Sequence, residues 1–259
     1  MQIKLWDNEI PFYTEGADTP NYMTFYPVIT HYAAPCVVIY PGGGYGGRAS
    51  HEGKPIAEFF NSRGMHAAVV EYRVSPNRHP APLADAQRAI KIVRAKAAEW
   101  HIDTNRVVTL GFSAGGHLAA STVTLGEVDT GIRDDISREN CLPNGAILCY
   151  PVMNIESEYG HVGSGKNLLG EAYADRSAEF CLENRINQNT PKVFMWHTSD
   201  DSVVNVKNSL IAGERLRDLG IPFEMHIFPH GNHGLGLAPL TKDVSKWADL
   251  AADWIINNI

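Results

Sequence analysis

The sequence predicts an α/β fold, with a mostly parallel central sheet and helices on both faces. Three observations carry this expectation. Apolar runs of strand length alternate with amphipathic helical patterns. Most of these runs are apolar throughout, as strands covered on both faces are. Glycine-rich turns stand directly behind two of them, PGGGYGG at 41–47 and GFSAGG at 111–116. With 259 residues, 44% of them hydrophobic, and no low-complexity linker, residues 1–259 read as a single domain.

Taken in chain order, QIKLW and YMTFYPV are strand-like pieces, followed by the runs CVVIY, HAAVVEY, RVVTLGF, GAILCY and KVFMWH. FEMHIF alternates instead, with Phe223, Met225 and Ile227 on one face, and so belongs nearer a sheet edge. Between the strands, Pro82 opens a helix carrying Leu83, Ala86, Ile90, Val93, Ala97 and Trp100 at spacings of three and four. Asp85 and Arg88 fall on its polar side. Val203–Leu219 repeats the pattern through Val206, Leu210 and Leu216 and is closed by Gly220 and Pro222. The C-terminal helix does so through Val244, Trp247, Ala251 and Trp254. Two long segments interrupt the rhythm. GEVDTGIRDDISRENCLPN reads as a solvated loop, and residues 151–190 read as a small cap-like insertion over a site.

Composition narrows the function classes. A formal charge of −7 opposes contact with phosphate backbones, so nucleic acid is not expected as a partner. No apolar run approaches the roughly 20 residues of a membrane span. MQIKLWDNEIPF has charges where a signal peptide would be apolar, so a cytoplasmic location with no membrane association is expected. The four cysteines form no C-x-x-C pair and are expected as reduced thiols. No H-E-x-x-H occurs, and His230 and His233 have no evident third ligand, so no metal is expected.

The glycine loop at 41–47 fits three readings. Gly42, Gly44 and Gly47 match G-x-G-x-x-G, a dinucleotide fingerprint. Bare backbone amides could form an oxyanion hole. A plain strand-to-helix turn is the third.

RVVTLGFSAGGHLAAS decides more. It sets Gly111-Phe112-Ser113-Ala114-Gly115 between a strand and a helix, a nucleophile elbow in which small neighbours permit a sharp turn under the Ser113 hydroxyl. A serine hydroxyl needs a base and an orienting acid. Both follow in order: Asp200 and Asp201 in HTSDDSVV, then His230 and His233 in PHGNHGLG. Trp196, Tyr40 and Phe112, inside strands, read as core. Tyr45 and Arg48 sit in the glycine loop and are candidate substrate contacts.

LGFSAGGHLAAS, WHTSDDSVVNVKNS and PHGNHGLGL resemble the α/β-hydrolase superfamily, and PGGGYGGRASHEG and RHPAPLADAQRAI resemble its acetyl esterase and xylan esterase branch. The matching motifs run from residue 37 to residue 236. The resemblance implies the α/β-hydrolase fold, Ser113 as nucleophile, His233 as base and His230 as a framing residue. In D-x-x-V turns of this family the first aspartate is the acid, which implies Asp200 here and leaves Asp201 to cap the following helix. The loop that often reads H-G-G-G has Pro41 in place of the histidine, and Gly43, Gly44 and Ala114 are the implied oxyanion donors.

The dinucleotide reading falls away because RASHEGK separates the glycines from the helix that PIAEFF begins, with Pro55 near its first turn. The expected activity is a cofactor-free serine esterase acting on a small-molecule ester, with acetylated oligosaccharide as the class the resemblance implies. A serine peptidase of prolyl oligopeptidase type, a non-catalytic binding module and a nicotinamide oxidoreductase are the rivals.

Overall fold

The computed structural model describes residues 1–7 and 9–259. Eight strands form one sheet: β1 Gln2–Lys4, β2 Tyr22–Tyr26, β3 Ala34–Tyr40, β4 His66–Val70, β5 Ile102–Phe112, β6 Gly145–Cys149, β7 Lys192–Thr198 and β8 Phe223–Phe228. The order across the sheet is β1-β2-β4-β3-β5-β6-β7-β8. β1 and β2 run antiparallel to their neighbours, and every later pairing is parallel. Each run read as a strand overlaps one of these strands, and FEMHIF is the edge strand β8.

The helices are α1 Lys54–Ser62, α2 Ala81–Ala95, α3 Ala97–Trp100, α4 Ala114–Thr124, α5 Val162–Leu169, α6 Tyr173–Arg176, α7 Lys207–Asp218 and α8 Trp247–Asn258. Alternation along the strands divides the core in two. Cys36, Val38 and Tyr40 of β3 face Leu83 and Ile90 of α2, Leu118 of α4 and Leu216 of α7. Val37 and Ile39 face the other way, toward Ile56 and Phe60 of α1 and Trp247 and Trp254 of α8. Tyr40, Phe112 and Trp196 are fully buried.

Three sequence expectations need correction. The helix expected from Pro82 to Trp100 is two helices meeting at Lys96, whose backbone N–H still bonds the Ile92 carbonyl. The helix expected from Val203 begins only at Lys207, because Val203 and Val204 are wrapped around the Asp201 carboxylate.

The third correction concerns Asp85 and Arg88, which lie inside the protein. The N-terminal segment covers the face of α2 that its polarity assigned to water. Asp85 accepts from Trp6 Nε1 at 2.8 Å and from the Arg73 amide, Nε and Nη2 at 2.8–2.9 Å. Arg88 bonds the Leu5 carbonyl, stacks over Trp6 and pairs with Asp134 of the supposedly solvated loop.

Register positions the site. Tyr40 pairs with Gly111, so the glycine loop leaves β3 beside the turn that leaves β5. Phe112 pairs with Cys149 and Cys149 with Trp196, while Thr198 pairs with Phe228. The loops after β3, β5, β6, β7 and β8 therefore open at one edge of the sheet, the carboxyl ends of its parallel strands, where ligands of open α/β sheets bind.

Candidate active site

Ser113 stands between β5 and α4 with φ 53° and ψ −118°, a left-handed conformation that costs a non-glycine residue of order 1–3 kcal/mol. Its surroundings enforce it. The Ser113 amide bonds the Cys149 carbonyl at 3.0 Å, and the Ser113 carbonyl accepts from the amides of His117 and Val152. The flanking glycines allow the close approach this needs. A Cβ at Gly111 would lie 1.9 Å from the Gly115 carbonyl oxygen, and one at Gly115 would lie 2.1 Å from that of Tyr40. No side chain fits at either position.

His233 reaches this serine from the loop after β8, with Nε2 2.8 Å from Ser113 Oγ. Its Nδ1 is 2.7 Å from Oδ2 of Asp201. A carboxylate can only accept, so Nδ1 carries the proton and Nε2 is left to accept from the Ser113 hydroxyl.

This corrects the assignment of the acid to Asp200. The turn after β7 points the two adjacent aspartates in opposite directions. The Asp201 side chain is 1% exposed, and its Oδ1 accepts the amides of Val203 and Val204 at 2.9 Å. Asp200 is half in solvent and holds His230 Nδ1 at 2.9 Å and the Gly231 amide at 2.8 Å. Asp201 therefore caps no helix, since α7 starts only at Lys207; it ties the turn at Val203 and Val204 and also holds the histidine, while Asp200 braces the turn that carries it. Burial would raise the Asp201 carboxyl, but hydrogen bonds from His197, His233 and the Val204 amide outweigh it and hold the group well below the usual carboxylate range.

The glycine loop lies against the elbow. A Cβ at Gly42 would sit 2.8 Å from the Phe112 carbonyl oxygen and 3.1 Å from Ser113 Cβ. Gly43 and Gly44 follow with φ 134° and 63°. Among the described residues no protein acceptor takes the amides of Gly43 or Gly44, and Ala114, at the first position of α4, has no intrahelical partner for its own. The loop folds back through Gly43, whose carbonyl accepts from Gly46 and Gly47, and α1 starts only at Lys54. The glycines do not open a helix, unlike those of a dinucleotide fold.

Tyr45 and Arg48 do not face the site. Tyr45 is buried, with its hydroxyl 2.9 Å from Nδ1 of His117, and Arg48 is held by Glu71 at 2.6 Å and the Tyr72 carbonyl at 2.9 Å. Loop position suggested exposure, but the tyrosine ring turns back under its own loop. His117 Nε2 donates to the Phe180 carbonyl at 2.9 Å, so its Nδ1 accepts from the Tyr45 hydroxyl, and burial brings this imidazole down to about 4.

Residues 151–190 contain α5, α6 and short 3-10 turns. Asn167 donates to the Gly44 carbonyl at 2.9 Å, fastening α5 to the glycine loop. His161 caps α5 by accepting the Ser164 amide on Nδ1. Burial lowers its basicity.

Two buried residues beside Ser113 and His233 were not anticipated. Glu52 accepts the Gly42 amide at 2.7 Å and the Tyr150 hydroxyl at 2.6 Å. Tyr150 accepts the Gly236 amide at 3.0 Å and sets its ring 4.9 Å from that of His233. In the sequence Glu52 lies inside PGGGYGGRASHEG, where the glycines drew the reading, and Tyr150 ends an apolar run, so neither was singled out.

Residues 24–216 match the family model described as BD-FAE. Endo-1,4-beta-xylanase B of Butyrivibrio fibrisolvens is 38% identical over 208 residues, 78% of this chain and 33% of that protein. An acetylxylan esterase of Xylanibacter ruminicola is 30% identical over 224 residues, 82% of this chain and 44% of the relative. The chain thus spans less than half the length of either. The crystal structure of an acetyl ester-xyloside bifunctional hydrolase from Caldicellulosiruptor lactoaceticus superposes with a TM-score of 0.93 at 43% identity, covering 99% of this chain and 95% of that one.

Proposed function

We propose, from the premise that this chain belongs to the BD-FAE family and has the α/β-hydrolase fold, that it is a carboxylic ester hydrolase working through Ser113, His233 and Asp201. The observation that carries the reading is the continuous hydrogen-bonded chain from Ser113 Oγ through both nitrogens of His233 to Asp201, at 2.8 and 2.7 Å. Each residue comes from a different loop, and nothing in the packing of a core requires that alignment.

The chemistry follows from the tautomer. His233 Nε2 takes the Ser113 proton as Oγ attacks the ester carbonyl, and Asp201 stabilises the imidazolium that forms. Negative charge on the former carbonyl oxygen is received by the amides of Gly43, Gly44 and Ala114, which have no protein acceptor among the described residues. Collapse expels the alcohol with a proton from His233 and leaves an acyl-serine. Water, deprotonated by His233, attacks that ester in turn and releases the acid. The balanced reaction is ester plus water to acid plus alcohol, with no cofactor consumed.

The acyl group is acetate and the alcohol a xylo-oligosaccharide in this reading. Its support is the likeness to an acetylxylan esterase and to an acetyl ester-xyloside bifunctional hydrolase. The test is acetate release from acetylated xylo-oligosaccharides and from p-nitrophenyl acetate by the wild-type protein beside Ser113→Ala. At least about a thousandfold loss of kcat in the variant is expected. Equal rates in both proteins would refute the mechanism, and hydrolysis confined to long-chain esters would refute the substrate.

A further inference from the structure

Glu52 is a carboxylate at 2% exposure, and acyl transfer as derived above does not use it. A charge so buried must be compensated locally. Here the compensation is dipolar. Oε2 accepts the Gly42 amide and Oε1 the Tyr150 hydroxyl, while the imidazole of His51, with Nε2 3.8 Å from Oε1, gives its own hydrogen bond to the Gly234 carbonyl.

Those two donors belong to two different segments that reach the site. Gly42 begins the glycine loop and presses on the elbow. Tyr150 has φ 35° and ties its hydroxyl to the Gly236 amide, three residues beyond His233, while its ring packs edgewise on the imidazole. His51 reinforces the span at Gly234. The turn Ser50–Glu52 therefore bridges the segment that supplies oxyanion donors and the segment that supplies the base.

We propose that Glu52 is a positioning residue for acyl transfer, its two oxygens setting the glycine loop and, through Tyr150, the His233 loop in fixed relation to Ser113. The proposal rests on the esterase reading above. Its physical basis is preorganisation, since oxyanion donors and a base act together only if their separation is set before the substrate arrives. An apolar residue would fill the space. Glutamine has one acceptor oxygen where Glu52 uses two, so it keeps the space and loses the acceptor for one of the two donors.

The experiment compares Glu52→Gln, Tyr150→Phe, the double variant and Ser113→Ala on p-nitrophenyl acetate, with active sites titrated by a fluorophosphonate. The proposal expects kcat per titrated site to fall about a hundredfold in Glu52→Gln while KM moves less than about threefold. Tyr150→Phe keeps the ring against His233 and loses the hydroxyl, so its kcat falls in the same way, and it carries the test if Glu52→Gln does not fold. Because both substitutions cut one linkage, the double variant is no more than about threefold worse than the poorer single. Unchanged kcat per titrated site in the folded single variants, with Ser113→Ala inactive, overturns the positioning role and leaves the triad standing. Wild-type activity in Ser113→Ala overturns the triad itself.

Discussion

Asp201 divides its carboxylate between two tasks, Oδ2 holding His233 Nδ1 at 2.7 Å and Oδ1 holding the turn that leads into α7. The residue that orients the imidazole is thereby oriented itself, by backbone amides that cannot rotate away. Asp200, one position earlier, also accepts a backbone amide, that of Gly231, but it is half in solvent and its imidazole partner is His230.

Asp201→Asn should therefore cost about three to four orders of magnitude in kcat, because an amide at Oδ2 favours the wrong imidazole tautomer. Asp200→Asn should stay within about threefold of wild type. Steady-state hydrolysis of p-nitrophenyl acetate by the two variants checks the assignment, and a larger loss for Asp200→Asn would reverse it.

The same comparison shows what a sequence can carry. Ser113 was legible because an elbow needs small residues at fixed offsets between a strand and a helix. The strands were legible from apolar runs alone. The choice between Asp200 and Asp201 was not, since it depends on which way a tight turn rotates its carboxylates. Tyr45 misled for a related reason, as a ring in a surface loop can fold beneath that loop. Asp85 and Arg88 misled because polarity on a helix marks its wet face only where nothing else covers it, and Leu5 and Trp6 do.

His117 makes stability fall with acid. Its imidazole is neutral in the folded protein and brought down to about 4 by burial, whereas an unfolded chain protonates it near 6.5. Above pH 6.5 neither state binds the proton; between 6.5 and 4 only the unfolded state does, so stability drops as pH falls through that window by about 1.4 kcal/mol per unit. His79, lowered to about 4 by burial and by Arg176, acts in the same direction. Chemical denaturation at pH 7.5 and pH 5 should show His117→Gln losing about 2 kcal/mol less than wild type on acidification. Parallel losses in the two proteins would show that His117 titrates normally in the fold.

Asp85→Ala should destabilise the protein by about 3–5 kcal/mol, since it strands the fully buried Arg73 guanidinium. Urea unfolding measures this directly. A cost below about 1 kcal/mol would mean that water or the carbonyls of Pro11 and Ala81 compensate the freed charge.

The chain between β6 and β7 leaves the sheet after Cys149 and rejoins it at Lys192 without contributing Ser113, Asp201 or His233. It touches the glycine loop through Asn167 and α4 through the Phe180 carbonyl, as a visor hung on a few hooks. Tyr150, at the start of this stretch, is tied to Glu52 and to the loop of His233, whereas α5 and α6 hold none of the atoms in the hydrogen-bonded chain of Ser113, His233 and Asp201, so their sequence can change without cutting it.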